Sequence, residues 1–389
     1  MILAFFDFLT QGVSALCTPE GAKMLVMWAV GILLIWLAIK KDMEPALLLP
    51  MGFGAILVNI PFSGALTQKV SETIESVGIL DWLFNIGIDA AEAMPLLLFI
   101  GIGAMIDFGP LLSNPKMLLF GAAAQFGIFA TILAASACGF SLADAASIGI
   151  IGAADGPTSI LVSRVLGSSY IGAIAVAAYS YMALVPIIQP FAIKLVTTKK
   201  DRQIRMPYNP TQITKTTRII FPIVVTIIAG LVAPASVSLV GCLMFGNLIR
   251  ECGKLESLSQ TAQNSFSNII TLLLGITIAS TMKADAFVNW QTLIIMGLGL
   301  VAFVFDTIAG VLFAKLLNIF LPKGKKINPM VGGAGISAFP MSARVIQKMA
   351  LKEDNQNHLL MHAVGANVAG QIGSVVAGGI ILALLPGMI

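Results

Sequence analysis

A chain of 389 residues with 57% hydrophobic and 11% charged residues, and a mean hydropathy of +0.93, is too poor in charge for a water-soluble domain, because soluble domains carry about 25% charged residues. At about 20 residues per crossing it has room for roughly ten apolar spans and their loops. The net charge of +4 decides little in total, and Cys17, Cys138, Cys242 and Cys252 lack the paired spacing of a metal site.

Met1–Leu16 is apolar but carries Asp7 and has no basic start, so it reads as an interfacial helix rather than a cleaved signal. The apolar segments Leu25–Ile39, Ala46–Pro61, Met94–Ile106 and Met117–Cys138 follow. The next, Ala145–Leu166, is interrupted by Gly152-Ala153-Ala154-Asp155-Gly156-Pro157-Thr158-Ser159. A carboxylate at membrane depth is costly and is retained for function. Gly and Pro beside it break the helix, and the freed backbone groups must line a protein-buried or wet cavity. Secondary transporters hold their ions at such breaks. Asp155 is therefore expected to centre a cation site, with Thr158, Ser159 and open carbonyls as oxygen ligands for a hard monovalent ion such as sodium. The plainer reading is a carboxylate capping the half-helix that starts at Pro157. Ile171–Ile193 then carries Tyr179-Ser180-Tyr181 at its middle, too deep for an interfacial belt, and buried tyrosines need hydrogen-bond partners.

After the polar stretch Thr197–Thr217 come Ile219–Val232, Val237–Ile249, Ile269–Met282 and Leu293–Leu317, then a second broken segment, Pro329–Val345, and finally Leu359–Leu385. Asp306, inside Leu293–Leu317, is either a second ion ligand or a satisfied buried carboxyl. The second break carries Asn328, Gly332, Ser337 and Arg344. Arg344 is either a cytoplasmic anchor or a planar donor for a carboxylate or carbamate. Gly365–Ser374 is dense in small residues that let helices approach closely, and it offers Asn367, Gln371 and Ser374 as polar groups. His358 and His362 have metal-like spacing but no third ligand, and read as loop histidines. No phosphate-binding glycine motif is present, so the chain does not hydrolyse nucleotide itself.

The two halves echo each other. Pro45-Ala46 with Met51–Ile60 matches Pro234-Ala235 with Val240–Ile249. Leu96–Ile102 matches Leu272–Ile278, and Gly152-Ala153-Ala154 before Ser163-Arg164-Val165 matches Gly332-Gly333-Ala334 before Ala343-Arg344-Val345. If the first broken segment dips in and returns, each half has five crossings and the second is inverted. Of the 23 Lys and Arg residues, only Lys23, Lys69, Arg164 and Lys283 then fall on one side. The positive-inside rule makes the opposite side cytoplasmic and puts both termini outside. The expected fold is an all-α polytopic membrane protein of two inverted repeats, each with about five crossings and one broken re-entrant hairpin. Its parts are an interfacial segment (1–23), a first repeat (24–196), a basic cytoplasmic linker (197–217) and a second repeat (218–389).

The motifs Gly152–Thr158, Tyr179–Pro190, Gly333–Arg344 and Gly365–Gly370, in this order along nearly the whole chain, resemble the β subunit of the sodium-pumping, biotin-dependent decarboxylases. That family serves oxaloacetate, methylmalonyl-CoA, glutaconyl-CoA and malonate decarboxylase complexes. The resemblance implies a subunit that takes carboxybiotin from the cytoplasm, releases CO2, consumes a proton and exports Na+. The biotin sits on a separate carrier subunit or domain, and this chain lacks the Ala-Met-Lys-Met attachment signature. Further implied partners are a carboxyltransferase α subunit, a small γ (δ) membrane subunit, lipid and other copies of the chain, but no nucleic acid. The implied location is the bacterial or archaeal cytoplasmic (inner) membrane. The resemblance carries roles onto Asp155 (sodium and proton exchange), Tyr181 and Ser337 (a second ion or proton path), Asn367 (sodium coordination) and Arg344 (carboxybiotin), with Asn328 and Gly332 also in the ion site. A secondary sodium-coupled carboxylate transporter, with no decarboxylation, is the alternative.

Overall fold

Within lipid every backbone N–H and C=O must find a partner in its own segment, so apolar runs of this length become helices. The computed structural model describes residues 10–41, 45–69, 75–90, 93–208, 213–322 and 324–388. Asp7 and most of the expected interfacial helix lie outside these, and residues 10–16 are helical. The first half comprises α1 (Pro19–Lys41), α2 (Pro45–Val58), α3 (Ala93–Met105), α4 (Pro115–Ala137), α5 (Leu142–Gly149), α6 (Gly156–Val165) and α7 (Ile171–Val196). The second comprises α8 (Lys215–Val232), α9 (Val237–Glu251), α10 (Ser267–Ile278), α11 (Trp290–Phe320), α12 (Pro329–Gly333), α13 (Met341–Glu353) and α14 (Leu360–Leu384). Among the described residues the only sheet is a two-residue antiparallel ladder that pairs Gln68–Lys69 with Glu75–Ser76.

Polarity runs opposite to that of a soluble protein. Leu133, Leu231, Trp290 and Ile319 face outward, while Asp155, Gln189, Asn247, Asp306 and Asn367 are buried. Among the described residues six helical segments are long and apolar enough to cross a bilayer, or eight when two bent pairs are counted as spans. One of those pairs is α7, which turns by 73° between Ile171–Met182 and Leu184–Val196. Pro186 lies inside α7, and its ring crowds the carbonyl four residues earlier and removes that hydrogen bond. The expected count of five crossings per half depends on α2 and α9, which have 14 and 15 residues. At about 1.5 Å per residue these are shorter than the roughly 30 Å hydrocarbon layer.

Both short helices are held by helices of the other half. α2 packs on α10 and α9 packs on α3. At α3–α9 the backbones nearly touch: a Cβ on Gly103 would lie 1.8 Å from the Leu243 carbonyl oxygen, and one on Gly246 would lie 1.9 Å from that of Ile100. The long helices exchange in the same way, α4 packing on α14 and α7 on α11.

At one end of the bundle the basic linker is tied down. Thr198 and Asp201 form a capping box at Lys199–Arg202. Arg202 Nε reaches Glu353 Oε1 at 2.7 Å, and Arg205 forks onto both oxygens of Asp354 at 2.6 and 3.0 Å. The Arg205 hydrogen bond holds the Asp354 carboxyl below its ordinary range. The clamp is therefore complete at neutral pH and is lost only as pH falls through that lowered value.

Candidate cation site

The first break is built from local chemistry. Ser141 caps α5, its Oγ accepting the Asp144 N–H at 3.1 Å. α5 runs into a tight 3-10 turn at Ile150–Ala153, and Ala154 then adopts φ 52°, in the left-handed region. That reverses the chain, so Asp155 is extended, with φ −127° and ψ 94°, and α6 starts with Pro157 in its first turn. Asp155 is the N-cap of α6: Oδ1 accepts the Thr158 N–H at 3.3 Å and Oδ2 accepts the Thr158 hydroxyl at 2.7 Å. The capping interpretation is thus correct as far as it goes.

A cap needs no more than that, yet two further hydroxyls converge on Oδ2. Ser374 of α14 donates at 2.8 Å, and Ser337 of the second break lies at 3.3 Å. Those two serine oxygens are 3.1 Å apart. The breaks are also joined through the main chain, where the Ser337 N–H donates to the Ala153 carbonyl at 3.0 Å. Asp155, Thr158, Ser337 and Ser374 are all buried. Ser374 Oγ has three acceptors in reach, Asp155 Oδ2, Ser337 Oγ and the Gln371 carbonyl, but a hydroxyl carries one proton. Several oxygen lone pairs therefore remain free around one carboxylate. No Lys, Arg or His pairs with Asp155 among the described residues. A carboxylate and three hydroxyls, with no nitrogen or sulfur, make a donor set for a hard cation. No group of three His, Cys, Asp or Glu suited to a transition metal occurs among the described residues.

The other sequence-derived candidates distribute unevenly. The ring of Tyr179 packs on the break at Gly156, where a Cβ would meet it at 2.2 Å, and its hydroxyl is buried with no partner among the described residues, while Tyr181 clusters with Ile151 of the preceding turn. Tyr181 donates to the Met296 carbonyl of α11. Asn367 is fully buried and donates to the Ile336 carbonyl of the second break at 2.7 Å, leaving Oδ1 unpartnered. Asn328 caps α12 and spends its amide on the linker, donating to the Arg202 and Ile204 carbonyls at 2.9 and 2.8 Å. Gly332 lies against α11, where a Cβ would fall 2.0 Å from the Gly310 carbonyl oxygen. Its own carbonyl accepts the Gly335 N–H at 3.0 Å.

Arg344 is exposed in the first turn of α13. One and two turns further on, Lys348 and Lys352 face Lys194, Pro186 and Pro190 of α7 across a groove of about 190 Å³. His362 is not in a loop but in the first turn of α14, edge-on to Tyr208 with ring centroids 5.5 Å apart. Gln189 carried no role in the sequence reading, yet its buried amide ties the Gly333 carbonyl (2.8 Å) to Ser342 Oγ (2.6 Å). The signal that could have found it is its place between Pro186 and Pro190.

Comparison with known proteins fits this arrangement. The Na+-transporting oxaloacetate decarboxylase beta subunit family matches residues 23–385. The methylmalonyl-CoA decarboxylase subunit beta of Propionigenium modestum is 49% identical over 377 residues, covering 92% of this chain and 94% of that protein. The glutaconyl-CoA decarboxylase subunit beta of Acidaminococcus fermentans is 49% identical over 362 residues, covering 93% of each. The oxaloacetate decarboxylase beta chain of Klebsiella pneumoniae is 46% identical over 415 residues, covering 93% of this chain and 95% of that one. With matches that span both breaks and nearly all the helices between and around them, this chain belongs to the Na+-transporting oxaloacetate decarboxylase β-subunit family.

Proposed function

We propose that this chain is the membrane β subunit of a sodium-translocating decarboxylase complex. It decarboxylates carboxybiotin presented from the cytoplasm, consumes a proton and exports Na+. The observation that carries the reading is the Asp155 carboxylate, held by Thr158 of one half and by Ser337 and Ser374 of the other. A ligand shared between halves is the arrangement alternating access requires. The reciprocal packing of α2 on α10 and α9 on α3, and of α4 on α14 and α7 on α11, supports two inverted repeats with both termini outside. Ion pairs that join the linker to α13 support a cytoplasmic linker, since the positive-inside rule places such basic loops there.

In this scheme Na+ binds as cargo at Asp155, with hydroxyls of Thr158, Ser337 and Ser374 turning their lone pairs inward and Asn367 Oδ1 as a further oxygen. Arg344, with Lys348 and Lys352 beside it, receives the anionic carboxybiotin of the biotin carrier subunit or domain. Decarboxylation turns the N-carboxylate and one proton into the free ureido N–H and CO2. Moving one charge against the membrane potential costs about 2.3 kcal/mol per 100 mV, so carboxybiotin breakdown has to drive it. A proton on Asp155 removes sodium's counter-charge, and this supplies the unequal affinity of the two states that any coupled cycle needs. Tyr181 and Ser337 contribute to a second ion or proton path, with the ring of Tyr179 against the break beside them. The carboxyltransferase and the small γ (δ) subunit complete the complex in the cytoplasmic membrane.

Capture on avidin of a biotinylated subunit from the native membrane should bring this chain down with it. Vesicles of the purified complex should then take up sodium as carboxybiotin is consumed. Decarboxylation indifferent to sodium, or sodium flux without any biotin protein, would overturn the proposal, the second outcome in favour of a plain carboxylate transporter. Within the site, Ser374→Ala removes a hydrogen bond to a charged group worth about 1.5–3 kcal/mol. Half-maximal activation is therefore expected to need about 10–100-fold more sodium, with a smaller change for Ser337→Ala at its longer distance. Equal activation curves for wild type and Ser374→Ala would remove Ser374 from the site.

A further inference from the structure

Asp306 lies midway along α11, fully buried and far in sequence from Gly152 of the break that it touches. Its Oδ1 accepts the N–H of Ile128 at 3.1 Å and that of Gly127. Both amides lie in the first turn of a new helix, Phe126–Ala137, which starts where α4 is interrupted at Gln125, and Ile128 shares its N–H with the Gln125 carbonyl at 3.2 Å. Oδ2 has no hydrogen-bond partner. It presses on the turn before Asp155: a Cβ on Gly152 would lie 2.5 Å from it, and one on Gly127 would lie 2.4 Å from Oδ1. The carboxyl is thus wedged between the kink of α4 and the first break.

We propose that Asp306 is a second proton-binding site, separate from the Asp155 cluster, and that it carries its proton in this arrangement. Three observations support this. The helix that begins at Phe126 offers about half an elementary charge at its N-terminus, and only to Oδ1. No cation among the described residues neutralises the remainder. The titratable and charged groups on the elements packed against α11 are Lys116 of α4, Asp144 of α5, Tyr179, Tyr181 and Lys194 of α7, and Asp155 at the break, and none of them bonds to Asp306. Lys116 and Lys194 are exposed, and Asp144 is taken by Ser141 and Ser168. Finally, the first break lies directly against Oδ2, where a Cβ on Gly152 would fall 2.5 Å away, and closes that side of the carboxyl. A neutral carboxyl lacking one hydrogen bond is far cheaper to bury than an anion lacking a counter-charge. The step is a single protonation: one O–H bond forms at Oδ2, and the site goes from −1 to neutral.

Gly152 and Asp155 belong to one turn, so loss of this proton would place a second negative charge against the turn that holds the first. The seated break therefore requires a neutral Asp306 whenever Asp155 is ionised. The proposal stands whether or not the sodium-pump reading holds.

The test is the infrared spectrum of the purified full-length protein in lipid vesicles at neutral pH, with aspartate labelled in its side-chain carbon so that the carboxylic-acid C=O stretch is assigned to aspartic acid. That band is expected in wild type and in Asp155→Asn, with a shift on exchange into deuterium oxide, and is expected to be lost in Asp306→Asn. If Asp155→Asn shows no aspartic-acid band the proposal falls, and this arm does not depend on the folding of the Asp306 variant. A band that survives in Asp306→Asn overturns it as well. So does a band in Asp155→Asn that vanishes on adding sodium, since Oδ2 would then be a metal-ion ligand.

Discussion

Asp155→Asn is expected to abolish sodium-coupled turnover while the protein stays folded. Asparagine caps helices as well as aspartate does: its oxygen accepts the Thr158 N–H, and its NH2 faces the hydroxyls of Thr158, Ser337 and Ser374, which can rotate to accept from it. What it removes is the charge. Breaking a buried charge pair by neutralising one partner costs about 3–5 kcal/mol, which at about 1.4 kcal/mol per tenfold weakens sodium binding more than about 100-fold. Sodium activation of decarboxylation and tracer uptake into vesicles measure this, and the melting temperature reports the fold. A variant that melts early would make Asp155 a structural cap. One that pumps at wild-type sodium concentrations would show that the ion binds elsewhere.

The second large effect is steric. Gly332→Ala is expected to yield little folded protein, whereas Gly333→Ala is tolerated. The added methyl at 332 would sit 2.0 Å from the Gly310 carbonyl oxygen and 2.6 Å from its carbonyl carbon, both main-chain atoms of a helix. At 333 it would meet the end of the Ile193 side chain at 3.1 Å, which can rotate. Forcing one carbon into a tight core costs about 1–3 kcal/mol, and more where no side chain can give way. Yield of monodisperse protein and its melting temperature separate the two. Equal behaviour of both variants would show that the second break is held less closely to α11 than the geometry states. The alanine keeps the carbonyl of residue 332, so loss of fold here argues for close packing rather than ligation as the reason for glycine.

Much of the site is legible in the sequence because polar residues stand out in an apolar chain. Asp155 between Ala154 and Gly156-Pro157 reads as a broken helix from residue types alone, and the structure places the break there with a left-handed Ala154. What sequence could not settle is rotation and partnership. Tyr179 and Tyr181 are two residues apart, so about 200° separates them on a helix. Either could face the carboxylate, and the phase of α7 is set by packing on α11. Ser374 stands out as a polar group in the small-residue run Gly365–Ser374. Its choice of Asp155, 219 residues distant, comes from tertiary packing. The family resemblance puts Asn328 in the ion site, yet its amide answers to linker carbonyls that no local pattern reveals. The expected segment Ala46–Pro61 overruns α2, which ends at Val58, because apolar residues continue past its end, whereas α9 runs two residues beyond the expected Val237–Ile249. Asn59 closes the first, donating to the carbonyls of Ala55 and Met282 at 2.8 Å.

The exchange of short and long helices across the midpoint has a consequence for how the chain matures. Neither half owns a complete interior: α2 and α3 wait for α10 and α9, and α4 and α7 wait for α14 and α11. During synthesis the leading half must therefore stay unfinished in the bilayer, its glycine faces bare, until the trailing half emerges. A gene cut in the linker would give two fragments that are each degraded alone and that rescue one another when made together.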